Sequence, residues 1–486
     1  MIEGVPMRNH PSVIVQNIAT VALFMFFACM VFQKKEMYVL AVIILILWSV
    51  VCIVFWARQV ILFNEKEITV IRNAAFKNKK VIPYEKIATV NVVRNVYNRI
   101  FGTVTLNFNI NSRVNASVPE VSFSFNMEEG EKIRDLVSKR MFNQNYQSQD
   151  DEKHESVASF TPAEVLVHGI FSMPTYSIVY AMILLTYSVF SSLLGSGSGL
   201  LIAICLLILG EVMPVVLLVL KYYNFKVYRV DDTIYLQHGA IQTYRSTFNV
   251  SRINAIRIKR PLFARLMHKS CLEAEVIGIN ATSNDVRPVL CLLINDKKLA
   301  DVIRQLVPEL VKDYELQRQP EKAKKPIFIR ATVISLILVA VMAYPSHYVY
   351  GYMDGVVNFS PLLITCSKLA LPILTSILIV LLYYGAAVSF KVRTFGMSGS
   401  LFTLENGVID REKDIIQFDR VQISRLDSGF IARRYGLAKC RVSVLSSAGS
   451  ADIKSGYFDE RELSKISSIM LERIVNGEYD FRKSSI

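Results

Sequence analysis

The side chains best suited to chemistry in this sequence are basic ones that recur at fixed spacing. Arg99, Arg265 and Arg433 each follow a pair of adjacent apolar residues by two positions: Val96-Tyr97, Leu262-Phe263 and Phe430-Ile431. A loop of that make-up can set its tip into a bilayer interface while its guanidinium meets a phosphate. The same recurrence also fits a turn in which Tyr97, Phe263 and Ile431 are core residues and the arginines brace the backbone. Lys77, Lys79 and Lys80 form a second basic group, echoed by Arg411 and Lys413 and by Arg245 alone; a solvated positive face accounts for these equally well. One acid stands apart. Glu211 lies in an apolar run ten residues before Lys221, which at 1.5 Å per residue places it about 15 Å deep, near a bilayer centre. A carboxylate there is paired, protonated or functional. Contact with Gln16, Asn17 or a backbone carbonyl makes it structural; a proton or substrate role makes it part of a transport path.

Other chemistry finds no support. The six histidines are scattered without a His-x-x-x-His pair, and the glycine-rich stretch 195–199 joins two apolar runs instead of a strand to a helix. The seven cysteines show no Cys-x-x-Cys spacing and read as reduced, small hydrophobes. The expectation is a protein that is not an enzyme and holds no cofactor or metal. A formal charge of +14 points toward anionic headgroups; no nucleic-acid motif accompanies it, and no nucleic-acid partner is expected.

These residues must be positioned by membrane segments. With 52% hydrophobic and 20% charged residues, the chain has to segregate the two along its length. Apolar runs long enough to span a bilayer, about 20 residues each, occur at 13–32, 38–57, 170–194, 200–220, 327–349 and 362–388. The first is long, lacks a small-x-small cleavage site and leads straight into the second, so it reads as a retained helix. Three hairpins return the chain to one side each time. That side carries Arg58, Lys66, Lys221, Lys226, Lys322, Lys324, Lys325, Arg330, Lys391 and Arg393, against charge-poor turns at 33–37, 195–199 and 346–360. The N-terminus and all three charged domains are therefore expected to be cytoplasmic.

After each hairpin the same three marks recur. The last copy reads Leu404-Glu405-Asn406-Gly407-Val408-Ile409, then Ile416 to Val421, then Ile431 to Gly436; the middle copy lies 168 residues earlier, and the first a further 166. One spacing kept by three marks indicates a triplicated unit. Stretches 67–72 and 79–84 read as strands, as do the alternating runs Val104 to Ile110 and Val121 to Phe125. An amphipathic helix closes each unit, introduced by Asn126 with Glu129, by Asn295, and by Asp459 with Glu462; Pro308 should kink or end the middle one. Asn73, Gly239 and Gly407 mark a tight turn that needs a permissive backbone. The resulting division is hairpin 13–57, domain 58–142, linker 143–164, hairpin 165–220, domain 221–316, linker 317–326, hairpin 327–388 and domain 389–480, with stretches 143–155 and 317–325 read as flexible.

Paired spans followed by domains with these marks resemble the bacterial pleckstrin-homology (PH) membrane proteins of the YdbS/YdbT type, with the three-unit layout nearest the YdbT type. The third mark ends in Gly102 and Gly436 but in His268 in the middle copy, a departure that bears on its turn. The resemblance implies an α+β membrane protein: three repeats of a two-helix transmembrane hairpin, each followed by a PH-like antiparallel β-barrel or sandwich with a C-terminal helical cap. It implies a multi-pass scaffold of the bacterial cell membrane that binds lipid headgroups or protein partners in cell-envelope homeostasis or stress resistance. It also implies a hetero-complex with a single-unit YdbS-like protein. The competing expectation is a transporter or lipid-handling protein whose six spans do the work and whose domains regulate it.

Overall fold

The computed structural model describes residues 4–73, 77–110, 119–141, 156–193, 197–276, 287–312, 315–354, 361–446 and 449–477. The first unit begins with helices α1 (Ser12–Phe32) and α2 (Lys35–Arg58), and α2 passes without a linker into β1 (Gln59–Phe63). β2 (Glu67–Asn73) and β3 (Lys77–Pro83) complete an antiparallel sheet. β4 (Ile87–Arg94), the one-turn α3 (Val96–Ile100), β5 (Thr103–Ile110) and β6 (Val121–Asn126) follow, and α4 (Met127–Met141) closes the unit. Val104, Leu106 and Phe108 face a core shared with Phe63, Phe123, Phe125 and Ile133, as the period of two requires. Asn107 and Asn109, expected on the solvent side, are buried too. They lie opposite Asn91 and Thr89 on β4, and the Asn109 amide donates to the Thr89 hydroxyl at 3.1 Å.

The second unit opens with β7 (Ala158–Ser159), α5 (Pro162–Phe171), α6 (Thr175–Leu193), α7 (Gly197–Leu207), a π-helical turn at Ile208–Val212 and α8 (Met213–Tyr222). Its domain comprises β8 (Lys226–Val230), β9 (Thr233–His238), β10 (Thr243–Asn249), β11 (Ala255–Arg260), α9 (Leu262–Leu266), β12 (Lys269–Glu275), β13 (Val289–Asn295) and α10 (Asp296–Leu306). The apolar run that begins at Ile170 is interrupted. α5 ends at Phe171 and the chain bends by 69° before α6, because Pro174 disfavours helical backbone at the residue before it. α5 belongs to the domain: Val165 and His168 are buried, the Leu293 amide donates to His168 Nδ1 at 3.2 Å, and Gly169 is pressed against Val219 of α8. Among the described residues, five helices are long and apolar enough to cross a membrane, or six when the bent pair counts as one span.

The third unit comprises β14 (Gln317–Arg318), α11 (Lys324–Asp354), α12 (Pro361–Val392), β15 (Thr394–Ser398), β16 (Leu401–Gly407), β17 (Arg411–Gln417), β18 (Val421–Asp427), α13 (Phe430–Arg434), β19 (Leu437–Ser446), β20 (Gly449–Lys454), β21 (Phe458–Asp459) and α14 (Glu460–Val475). Stretch 317–325 is ordered, contrary to its polar composition. β14 pairs with β15, and buried Gln319 donates to the Ser389 and Phe390 carbonyls at 2.9 Å each while accepting from the Tyr457 amide at 2.8 Å. Its polarity serves backbone groups that would otherwise be orphaned. The other stretch read as flexible, 143–155, lies outside the described residues. Asn295 caps α10, which stops before Pro308. Asp459 makes no side-chain cap, and Glu462 instead pairs with Lys465.

The three sheet-rich α+β repeats are joined edge to edge. β4 pairs with β10 and β11 with β17, so the second sheet of each unit continues into the first sheet of the next. Two seven-stranded sheets result, ordered β6-β5-β4-β10-β9-β8-β7 and β13-β12-β11-β17-β16-β15-β14. Cores cross the seams as well. Leu401 and Ile415 of the third unit pack in the core of the second, and Ala255 of the second packs in that of the third.

Candidate functional site

The short helices α3, α9 and α13 carry the recurrent arginines, and each stands at the base of its own hairpin. α3 packs beside α1; the rings of Phe171 and Phe263 lie 6.4 Å apart; and Lys325 Nζ sits 5.0 Å over the Tyr435 ring. One residue of each helix is buried to hold it in place: Asn98, Ala264 and Ala432. Of the apolar pairs, Val96, Phe263 and Phe430 are exposed while Tyr97, Leu262 and Ile431 are half-buried; Ile100 and Leu266, one position past their arginines, are exposed as well. The arginines have protein partners where a following unit exists. Arg99 Nη2 donates to the Ala240 carbonyl at 2.6 Å and Arg265 Nη1 to that of Ile409 at 3.1 Å, each gripping the turn between the second and third strands of the next unit. Arg433 has no equivalent acceptor among the described residues. Its side chain is exposed and has no hydrogen-bond or ion-pair partner among the described residues.

The gripped turn explains a sequence mark. Gly239 and Gly407 have φ of +115° and +108°, and a Cβ there would stand 1.9 Å from the carbonyl oxygens of Gln242 and Asp410. Asn73 lacks the positive φ, and residues 74–76 lie outside the described set. The third mark keeps its geometry through its substitution: Gly102, His268 and Gly436 have φ of +62°, +53° and +66°. Histidine is among the side chains that tolerate the left-handed region.

Lys77, Lys79 and Lys80 lie on β3, the outer strand of its sheet, where Lys80 is ion-paired with Glu120. Glu211 lies in the π-helical turn and accepts from the Ser177 hydroxyl at 2.5 Å. Leu218, Val219 and Tyr222 pack with the core of the second domain, and Thr175 at the start of α6 donates through both its amide and its hydroxyl to Asp410 of the third domain. Glu211 therefore stands near where the hairpin leaves the domains, bonded to a serine just inside that boundary.

A site absent from the sequence reading lies at the base of the third hairpin. α11 and α12 diverge there around a cavity of about 630 Å³ walled by Ile334, Leu338, Leu378, Leu381 and Leu382, with Arg330, Arg393, Lys439 and Tyr457 also lining it. Among the described residues, no carboxylate lines it. Arg393 Nε is buried without a hydrogen-bond partner, and Lys439 Nζ lies 4.1 Å over the Tyr457 ring. Burial, reinforced by Arg393, Arg330 and Lys454, lowers the Lys439 ammonium from its ordinary 10.5 to about 8. Burial and Arg330 likewise lower Arg393. Three cations converging on apolar walls without a counter-ion suit an amphiphile with an anionic head. Arg330 and Arg393 were visible as charges at the ends of paired apolar runs. Lys439 carried no signal, since only the fold brings β19 to the hairpin.

Comparison with known proteins gives two findings. The family described as Bacterial PH domain matches residues 14–141, 168–306 and 332–474, so that hairpin and domain together form the matched unit, three times over. The chain is also 21% identical to the UPF0699 transmembrane protein YdbT of Bacillus subtilis (strain 168), across 91% of this chain and 93% of that protein. No solved structure matches.

Proposed function

From the chain's membership of the bacterial PH-domain family, as a YdbT-like transmembrane protein with three such units, we propose that it is a cytoplasm-facing membrane scaffold that holds an anionic phospholipid at the base of its third hairpin. The carrying observation is the cluster of Arg330, Arg393 and Lys439 without an acid on an apolar cavity between two spans. A phosphodiester would take the place of the missing counter-ion, giving the buried Arg393 Nε an acceptor, and an acyl chain would lie along Leu338, Leu378 and Leu381. The exposed tips Ile100, Leu266 and Phe430, at the bases of the hairpins, suit insertion into the same interface. The basic residues flanking the spans support the cytoplasmic side. Membrane anchoring, repeated domains and a headgroup site together fit a role in envelope homeostasis, with a single-unit relative as the expected partner.

The test uses the full chain in detergent, followed by thermal unfolding and native mass spectrometry with phosphatidylglycerol, phosphatidylcholine and inorganic phosphate. Phosphatidylglycerol is expected to raise Tm and to remain bound. Phosphatidylcholine and inorganic phosphate should do so weakly, because one lacks net charge and the other lacks a chain. Arg393→Gln with Lys439→Gln should remove the preference, weakening binding at least about tenfold, the equivalent of one lost charged contact worth ~1.4 kcal/mol. Equal binding of the two lipids, unchanged in the double variant, would sink the proposal.

A further inference from the structure

The two seams between units repeat one register. Arg94 lies opposite Thr243 and Val90 opposite Thr247 in the first; Arg260 lies opposite Arg411 and Ile256 opposite Ile415 in the second. These are the same positions of the repeat, shifted by 166 and 168 residues. The third copy of the fourth strand, β18, has β19 on one side and no strand on the other among the described residues. Its burial shows the same vacancy. Seven of eight residues of β4 are buried, whereas β18 alternates between half-buried and exposed after Val421. Beside this edge stands Arg433, the equivalent of the two arginines that grip the next unit's turn.

The seams also indicate what the edge accepts. The pairs differ in charge between them: Asn91 opposite Ser246 and Val93 opposite Tyr244 are neutral, whereas Lys259 lies opposite Glu412, Arg260 opposite Arg411 at the end of the seam, and Arg257 opposite Asp414 is a buried, two-pronged ion pair of 2.5 and 3.1 Å. At the open edge this position is Arg425, which is exposed. The third strand of this chain's own first unit, β3, also has no strand on its outer side among the described residues, but it would bring Lys80 opposite Arg425, with Lys77 and Lys79 flanking. Like charges directly opposite destabilise a strand pair, and lysines along an edge discourage pairing. We propose that β18 is a docking edge for the third strand of a PH unit on a separate protein. That strand pairs in the register of β11 with β17, with a carboxylate facing Arg425 and a turn carbonyl accepting from Arg433. The lysine at position 80 disfavours a second copy of this chain as the occupant, although Glu120 already pairs with it.

The test makes the chain its own partner. Exchanging the ion pair within the first unit, Lys80→Glu with Glu120→Lys, keeps that pair while placing a carboxylate where Arg425 would meet it. A second route, Arg425→Glu on the otherwise native chain, sets an acid against Lys80 without altering the first unit. Mass photometry and light scattering of the full chain in detergent should show one mass for the native protein. Either variant should form salt-sensitive dimers and longer head-to-tail species, and combining the two should restore the native mass. In an assembling variant, Val81→Cys with Ser424→Cys should give a reducible crosslink between copies, because these positions face each other in the proposed register. If both variants keep the native mass, the edge does not dock strands. If the native chain crosslinks through the same cysteines, its occupant is a second copy and the charge argument falls.

Discussion

Lys439 would couple the stability of the fold to the lipid proposed for the third hairpin. The unfolded chain keeps the ordinary lysine value of 10.5, and the folded chain releases the proton at about 8. Between those values the unfolded state binds more protons, so the lipid-free protein gains stability as pH rises through the window. An anion held at the site loses one of its three cations over the same interval. Thermal unfolding between about pH 7 and pH 10 should therefore show Tm rising without lipid, while the increment from phosphatidylglycerol shrinks. Lys439→Gln should flatten both trends. Parallel trends with and without lipid would separate Lys439 from the anion. The sequence made Arg330 and Arg393 visible only as topology markers, and Lys439 not at all, because a cluster assembled from α11, α12 and β19 leaves no local spacing to read. Arg99 and Arg265 were legible as recurrent. Their acceptors were not, since those lie in the following unit.

Among the elements, the hairpins, the alternating strands and the closing helices were legible because each buries one face and so imposes its period on the sequence. The break between α5 and α6 was not, since hydropathy runs unchanged through Ser172 to Pro174 and only the burial of Val165 and His168 assigns α5 to the domain. Glycine marks were legible as turns, and the structure separates two reasons for them. Gly436 has φ of +66° with open space around its missing Cβ, whereas at Gly407 a Cβ would meet the Asp410 carbonyl oxygen at 1.9 Å. Gly436→Ala should therefore cost only the backbone term, about 1 kcal/mol. Gly407→Ala should cost more, because Asp410 also anchors the amides of Thr175 and Leu262. Thermal unfolding of the two variants in one detergent gives the comparison, and an equal loss would remove the steric argument at Gly407.

At the scale of the whole molecule, the triplicated sequence announced three repeated units, and the chain builds them with two sheets that also run across the seams. A period of two records which face of a strand is buried but not whether its edge is taken, so fusion was invisible to that reading. A compositional trace of it does exist. β3 carries Lys77, Lys79 and Lys80 at an open edge, while the equivalent β10 and β17 are central strands, and lysine is a common guard of open edges. This difference predicts unequal protection of equivalent strands. β3, β10 and β17 occupy the same place in the repeat, yet only β10 and β17 have neighbours on both sides. Hydrogen exchange on the full chain should find the outward amides of β3 exchanging on the order of a hundredfold faster than their equivalents, the ratio given by ~2.7 kcal/mol of extra opening energy. The outward amides of β18 should exchange faster than those of β4 and β11 in the same way, until a docked strand protects them. Equal protection across the three copies would mean that the seams open as readily as the free edges, and that the units behave as separate bodies despite the shared sheets.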